Sequence, residues 1–163
     1  MSVRNCAEIG PILQEVVSRL LANNELCRLI YFTDRNPIKE IPKGKEFWDV
    51  LGEQLGMPWD EIEPIVDYRK RIETEWSRIK KKEIYEKLIK VVPRVGPKEF
   101  DNSVVVVRVA RGTKNPNNNQ FRDLNIYIES FVPLTQWLVN DENLRPFLIM
   151  GEIQKSLDGK RMN

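Results

Sequence analysis

Residues 104–109 read VVVVRV and residues 124–132 read LNIYIESFV, and these two stretches set the fold class. Val104 to Val109 is a dense β-branched run, the composition of a buried strand. In the second stretch Leu124, Ile126, Ile128, Ser130 and Val132 alternate with Asn125, Tyr127, Glu129 and Phe131. That period of two gives a strand two distinct faces. Between the stretches, Gly112 to Gln120 is a polar loop with four asparagines and a proline. The two strands therefore read as a hairpin with a long tip. Two strands alone are marginally stable and expose two edges, so the hairpin needs either helices and neighbouring subunits or further strands.

Helical periodicity dominates on the N-terminal side. Ile9, Ile12, Leu13, Val16, Val17, Leu20 and Leu21 fall on one helix face, with Asn23 and Asn24 as the stop. Pro11 is tolerated only near the start, which places the regular helix from about Gly10 or Pro11. Leu26 to Phe32 predicts a second short helix packed back on the first. The breakers Pro37, Pro42 and Gly44 mark a loop over residues 33–44.

Phe47, Trp48, Leu51 and Leu55 predict a short helix ended by Gly56. Pro58 to Ile62 reads as a new helix start, with Asp60, Glu61 and Glu63 near its positive end, and Pro64 delays the regular turns until Ile65. Ile65, Ile72, Trp76, Ile79 and Leu88 then mark one stripe of a long helix. Asp67–Arg71, Glu83–Lys87 and Glu86–Lys90 are acid-before-base pairs at four-residue spacing. Residues 45–90 thus read as a helical hairpin projecting from a core, and Pro93, Gly96 and Pro97 close it. At the other end, Asp141 or Asn143 is placed to cap a last helix. Its apolar face would be Leu144, Phe147, Leu148, Met150, Ile153 and Leu157, with Gly159 as its stop. The fold class is α+β: a small antiparallel sheet with packed helices and a helical insertion over about residues 45–90, all in one domain spanning 1–163.

Composition narrows the function. The 163 residues carry 26 basic and 24 acidic side chains, a net +2, too balanced to argue for nucleic-acid binding on charge alone. No run approaches the roughly 18–20 apolar residues of a membrane span. Glu8 and Pro11 stand where an export signal would need apolar residues. Cys6 and Cys27 lack metal or redox spacing and read as reduced, small apolar residues.

The chain has no histidine, which removes the commonest general base and metal ligand. Its glycines do not approach a phosphate-loop or dinucleotide spacing. Asp60, Glu61, Glu63 and Asp67 are the one acidic cluster able to hold a divalent metal, against the favoured reading of a helix start with charges suited to its dipole. Lys80, Lys81 and Lys82, with Arg78, sit among acids and read as a solvated face. Arg111, Lys114 and Arg122 flank the Asn-rich tip and are candidate loop contacts with a partner or nucleic acid. Trp48 and Trp76 fall on core stripes. Trp59 and Trp137 lie at segment junctions, where subunit contact is credible. No catalytic residue, metal or cofactor is expected.

One further pattern carries a resemblance. The strand from Leu124 leads to a turn with Trp137 and then a helix of the form LRP, IM, EI and L, here Leu144, Arg145, Pro146, Ile149, Met150, Glu152, Ile153 and Leu157. Near the start, Leu29, Tyr31, Asp34 and Pro37 fit a helix leading into a proline loop. Together these resemble neck and tail-completion proteins of tailed bacteriophages, the tail-terminator-like group, over about the first forty and last sixty residues. Residues 45–90 depart from the compact members, and the strands expected after Asn163 are absent. The resemblance implies a hexameric ring that terminates the tail tube and meets the head connector, assembled in the host cytoplasm into the virion. It implies a homo-oligomer with tail-tube and neck partners, non-specific contact with DNA in the lumen, and no membrane. Trp137, Arg145, Phe147 and Trp59 are the candidate interface residues. A head-completion or stopper role and a DNA-binding role are the alternatives.

Overall fold

The computed structural model describes residues 2–3, 9–91, 101–109, 113–114, 117, 122–123 and 125–158; of 2–3, 113–114 and 122–123 it describes the backbone alone. Helix α1 (Ile9–Ala22) buries Val16, Val17 and Leu20, with Pro11 in the first turn, where its missing N–H is not needed. Asn23 makes the corner to α2 (Asn24–Tyr31). Its side chain accepts from the Leu26 amide at 3.0 Å, which caps α2. The same side-chain amide donates to the Glu152 carbonyl at 3.2 Å and to the Glu152 carboxylate and Ser156 hydroxyl at 3.0 Å. One side chain thus both starts a helix and ties it to the C-terminal helix.

Helix α2 buries Leu26, Cys27, Leu29 and Ile30, and burial pushes the Cys27 thiol up to about 11, so it stays protonated. Cys6 lies outside the described residues. After the loop, α3 (Phe47–Gln54) starts with a capping box in which the Glu46 amide donates to Asp49 Oδ2 at 2.8 Å. Gly56, at φ +72°, ends it as the sequence indicated. Pro64 is the N-cap of α4 (Ile65–Thr74), so residues 58–62 do not begin the helix. The chain continues through a π-helical stretch, Glu75–Lys80, into α5 (Lys81–Lys87).

The expected stripe holds at Ile72 and Trp76, which are fully buried beside Tyr68 and Ile84. Ile79 is exposed instead, because the wider π turn moves the buried face on by a residue. Only part of the helix charge pairing is as expected. Glu83 and Lys87 pair at 3.0 Å, whereas Arg71 turns to Glu63 and Lys90 reaches the Glu86 carbonyl.

Residues 45–90 are not a projecting hairpin. Leu51, Tyr68, Ile72, Trp76, Ile84 and Leu88 belong to the same buried cluster as α1, α2 and the sheet. Trp76 is its hub: it stacks on Phe32 at 6.3 Å, meets Tyr31 edge-on at 6.0 Å, and donates its indole N–H to Asn24 at 3.0 Å.

Among the strands, β1 (Ser2–Val3) belongs to a small three-stranded ladder with β4 (Thr113–Lys114) and β5 (Arg122–Asp123). The main sheet runs β2 (Ile89–Val91), β3 (Val104–Val109), β6 (Ile126–Phe131). The hairpin of β3 and β6 is as the sequence indicated, with Val104 opposite Phe131 and Val109 opposite Ile126. The sheet is mixed rather than purely antiparallel, because β2 pairs parallel to β3 (Ile89 opposite Val105). β3 is therefore central, and Val104 to Val107 are buried on both faces, which its unbroken valine run requires.

Beyond β6 a short 3-10 turn, Leu134–Gln136, leads to a ribbon of β7 (Leu138–Val139) and β8 (Asn143–Leu144). Asn140 and Asp141 at its tip take φ of 53° and 58°. The last helix is α6 (Arg145–Leu157), with Leu144 as N-cap and Pro146 in the first turn, so neither Asp141 nor Asn143 caps it. Its buried face is Ile149 and Ile153, with Leu148 and Leu157 partly covered, while Phe147 and Met150 point outward, contrary to the face read from the sequence. Gly159 lies outside the described residues.

A glycine fixes how closely α3 meets α4. A Cβ at Gly52 would stand 2.0 Å from Tyr68 Oη, which donates to the Met57 carbonyl at 2.9 Å. An exposed helical glycine is usually stabilised by alanine, by about 1 kcal/mol. Gly52→Ala is expected to have the opposite sign, a loss of about 1–3 kcal/mol in urea unfolding, because buried Tyr68 must move.

Candidate interaction surface

The frame around the start of α6 is built on Arg145, whose side chain has no exposed area. Its Nη1 donates to the carbonyls of Leu29 and Phe32, both at 2.5 Å, and its Nη2 to that of Asp34. Its Nε donates to the Gln136 carbonyl at 2.7 Å, and its backbone amide to that of Trp137 at 2.7 Å. The Leu29 carbonyl lies in the last turn of α2, where carbonyls lack helical partners and a cation suits the dipole. Burial nonetheless lowers the guanidinium pKa, an effect opposed by the nearby Asp34 charge. Gln136 is held in turn, donating to the Asp101 carbonyl at 3.0 Å and accepting from Ser103 Oγ at 2.9 Å. The sequence assigned Arg145 to a subunit contact. It is an internal strut, because a planar five-donor head can satisfy several carbonyls at once.

The surface that this strut holds out is apolar. Phe147 is 71% exposed and Leu134 81%, with Trp137 at 39%. Leu138 and Met150 are also exposed. These side chains come from the 3-10 turn, the ribbon and the first turns of α6. The Trp137 ring is not free to rotate, since its indole N–H donates to the Val132 carbonyl at 2.9 Å. Of the four residues expected at an interface, Trp137 and Phe147 are exposed and Arg145 is buried.

Trp59 lies elsewhere. It is 45% exposed and its indole N–H donates to the Glu63 carbonyl at 2.8 Å. It forms a wall of a cavity of about 330 Å³ between α3 and α4, with Lys45, Asp49, Glu53, Ile65 and Arg69 also lining it. Arg69 grips Asp49 with two bonds of 2.9 and 2.8 Å and reaches Glu46 at 2.7 Å, while Lys45 pairs with Glu53 at 2.5 Å. The Arg69 bonds hold the Asp49 carboxyl below its ordinary range. No signal in the sequence marked this pocket, because the Arg69 ion pairs join residues twenty or more positions apart.

The remaining candidates are spread out. Arg111 lies outside the described residues, and of Lys114 and Arg122 only the backbone is described, paired across β4 and β5. Lys80 sits 5.8 Å from the Tyr31 ring and 3.9 Å from Glu75, and Lys82 lies 3.8 Å from Glu86. Glu63 is engaged by Arg71 at 2.8 Å. Among the described residues no three side chains of the metal-ligating types converge, and no helix is long and apolar enough to cross a membrane.

Fold and surface together define a small α+β protein that exposes several large apolar side chains on the segments joined by the Arg145 strut. The chain belongs to the YomW family, whose model matches residues 23–163, and this family is phage-derived, of SPbeta-like prophage type. No curated protein and no solved structure matches it.

The strut and the surface differ in what a substitution costs. Arg145→Lys, which keeps the charge but loses the fork, is expected to cost about 3 kcal/mol or more in urea unfolding. Phe147→Ser, on the surface above it, should change stability by no more than about 0.5 kcal/mol. Equal costs for the two would refute the division into strut and surface. For Asp49, a depressed folded pKa means that its contribution is complete above the ordinary value of 3.8 and drains away as acid takes the pH below it. Asp49→Asn should therefore flatten the acid limb of a stability–pH curve and lower stability at neutral pH.

Proposed function

We propose that this chain is a structural protein of a phage virion that works by binding, as a subunit of the neck ring that ends the tail tube and joins it to the head connector. The observation that carries the reading is the exposure of Leu134, Trp137, Leu138, Phe147 and Met150 on segments that the buried Arg145 ties together. Large apolar side chains grouped on a rigid frame mark a protein-binding surface more often than chance exposure. Two further features support it. Membership of a phage-derived family fits a virion role. The outer edges of β2 and β6 have no strand neighbour among the described residues, so the main sheet can accept one.

The test is a phage or induced prophage carrying a deletion of this gene, or Phe147→Arg in its place. Expected are filled heads and separate tails, the tails of irregular length, with the wild-type chain located at the head–tail junction by particle imaging. Normal particles lacking the chain would refute the reading. So would a purified chain that ignores tail tubes and binds DNA with a steep salt dependence, which points to a nucleic-acid role instead.

A further inference from the structure

We infer that the stretch 58–64 and the first turn of α4 form a second docking surface, which takes a lysine- or arginine-rich amphipathic segment of another protein. The inference goes beyond the neck-ring reading and uses none of the side chains that Arg145 ties together. Trp59, Ile62 and Val66 lie within eight residues of sequence and all are exposed. Ile62, at 90%, is the most exposed large apolar side chain among the described residues, so it contributes nothing to the core. The backbone that carries it is nonetheless held. The Ile62 amide donates to Asp60 Oδ1 at 3.2 Å, the Glu63 amide to the Asp60 carbonyl at 3.0 Å, and the Trp59 indole N–H to the Glu63 carbonyl. A segment already ordered in this way loses little entropy on contact.

Charge supplies the chemistry of the partner. Residues 58–67 carry four carboxylates, Asp60, Glu61, Glu63 and Asp67, and no lysine or arginine. Arg71 engages Glu63, and Asp67 lies in the first turn of α4, where a carboxylate suits the helix dipole. The dipole does not account for Asp60 and Glu61, because α4 begins only after Pro64. Nor do the four make a metal centre, since among the described residues no three ligating side chains converge. Across the packing with α3, Lys45 is paired with Glu53, and Arg69 with Asp49 and Glu46, so those bases leave the four acids unanswered. Lys70 is the one base of α4 outside an ion pair, against three such acids, Asp60, Glu61 and Asp67. Apolar side chains set among uncompensated carboxylates fit a partner of the inverse pattern, aliphatic and basic. The same charge repels nucleic acid and anionic lipid.

The experiment is calorimetric titration of the full-length chain with three helix-forming synthetic peptides of equal length, with melting curves to check that each variant folds. One peptide combines leucine and lysine, the second has serine in place of leucine, and the third glutamate in place of lysine. The leucine–lysine peptide should bind, more weakly as salt rises, and each of the others at least about tenfold less well. Ile62→Ser should weaken binding of the first peptide roughly tenfold. Asp60→Asn combined with Glu61→Gln should weaken it too and flatten its salt dependence. Phe147→Ser should leave it unchanged. A serine–lysine peptide that binds as well as the leucine–lysine one would show charge attraction alone and overturn the docking surface. The inference also fails if Phe147→Ser, and not Ile62→Ser, lowers the affinity, a result that leaves the neck-ring reading standing. It fails again if no peptide binds while the chain self-associates through Ile62, since the occupant is then a second copy.

Discussion

The rest of the structure depends on where the buried charge of Arg145 goes. A guanidinium without exposed area has to be met by oxygen, and here carbonyls of Leu29, Phe32, Asp34 and Gln136 meet it. Those four oxygens belong to the end of α2, the loop after it and the 3-10 turn before the ribbon. One side chain at the start of α6 therefore ties that helix to two separate stretches of chain, residues 29–34 and the 3-10 turn. Removing it would leave several buried carbonyls without donors, which costs more than the bonds contribute when made. Asn23 plays a smaller version of the same part at the other end of α6, bonding Glu152 and Ser156 while it caps α2.

This double attachment explains how the chain can carry a group of exposed apolar side chains. Phe147 is two residues from Arg145, and the Trp137 carbonyl accepts from the Arg145 amide, so both are presented from backbone that cannot easily relax. A surface of large side chains on a mobile segment would lose ordering entropy on contact, and a rigid one loses less. The geometry suits a protein whose work is done by complementary surfaces.

The helical part serves the core as much as the surface. Trp76 sits among Tyr31 and Phe32, and the π-helical turn that follows lets α5 return its buried face through Ile84 to meet β2. At Gly52 the absence of a side chain allows Tyr68 to reach the Met57 carbonyl, and that approach shapes the cavity walled by Trp59. Packing in the interior and the form of the outer pocket are consequences of the same close contact between α3 and α4.

By itself the sequence determined the α+β class, the hairpin of β3 and β6, the spans of α1, α2 and α3 to within a residue or two, and the exposure of Trp59 and Trp137. These follow from periodicity, glycine and proline placement and residue type, all of which act over a few positions. Tertiary structure alone decided four other matters. Ile89–Val91 became a parallel strand, because its partner β3 lies more than a dozen residues away and leaves no local trace. Ile79 turned outward because a π turn shifts phase without a sequence signature. Phe147 faced water although it fits an apolar stripe, since which arc of a helix is covered depends on what packs against it. Arg145, expected from the sequence at a subunit contact, became the buried strut, because its four acceptors come from chain segments that only the fold brings together.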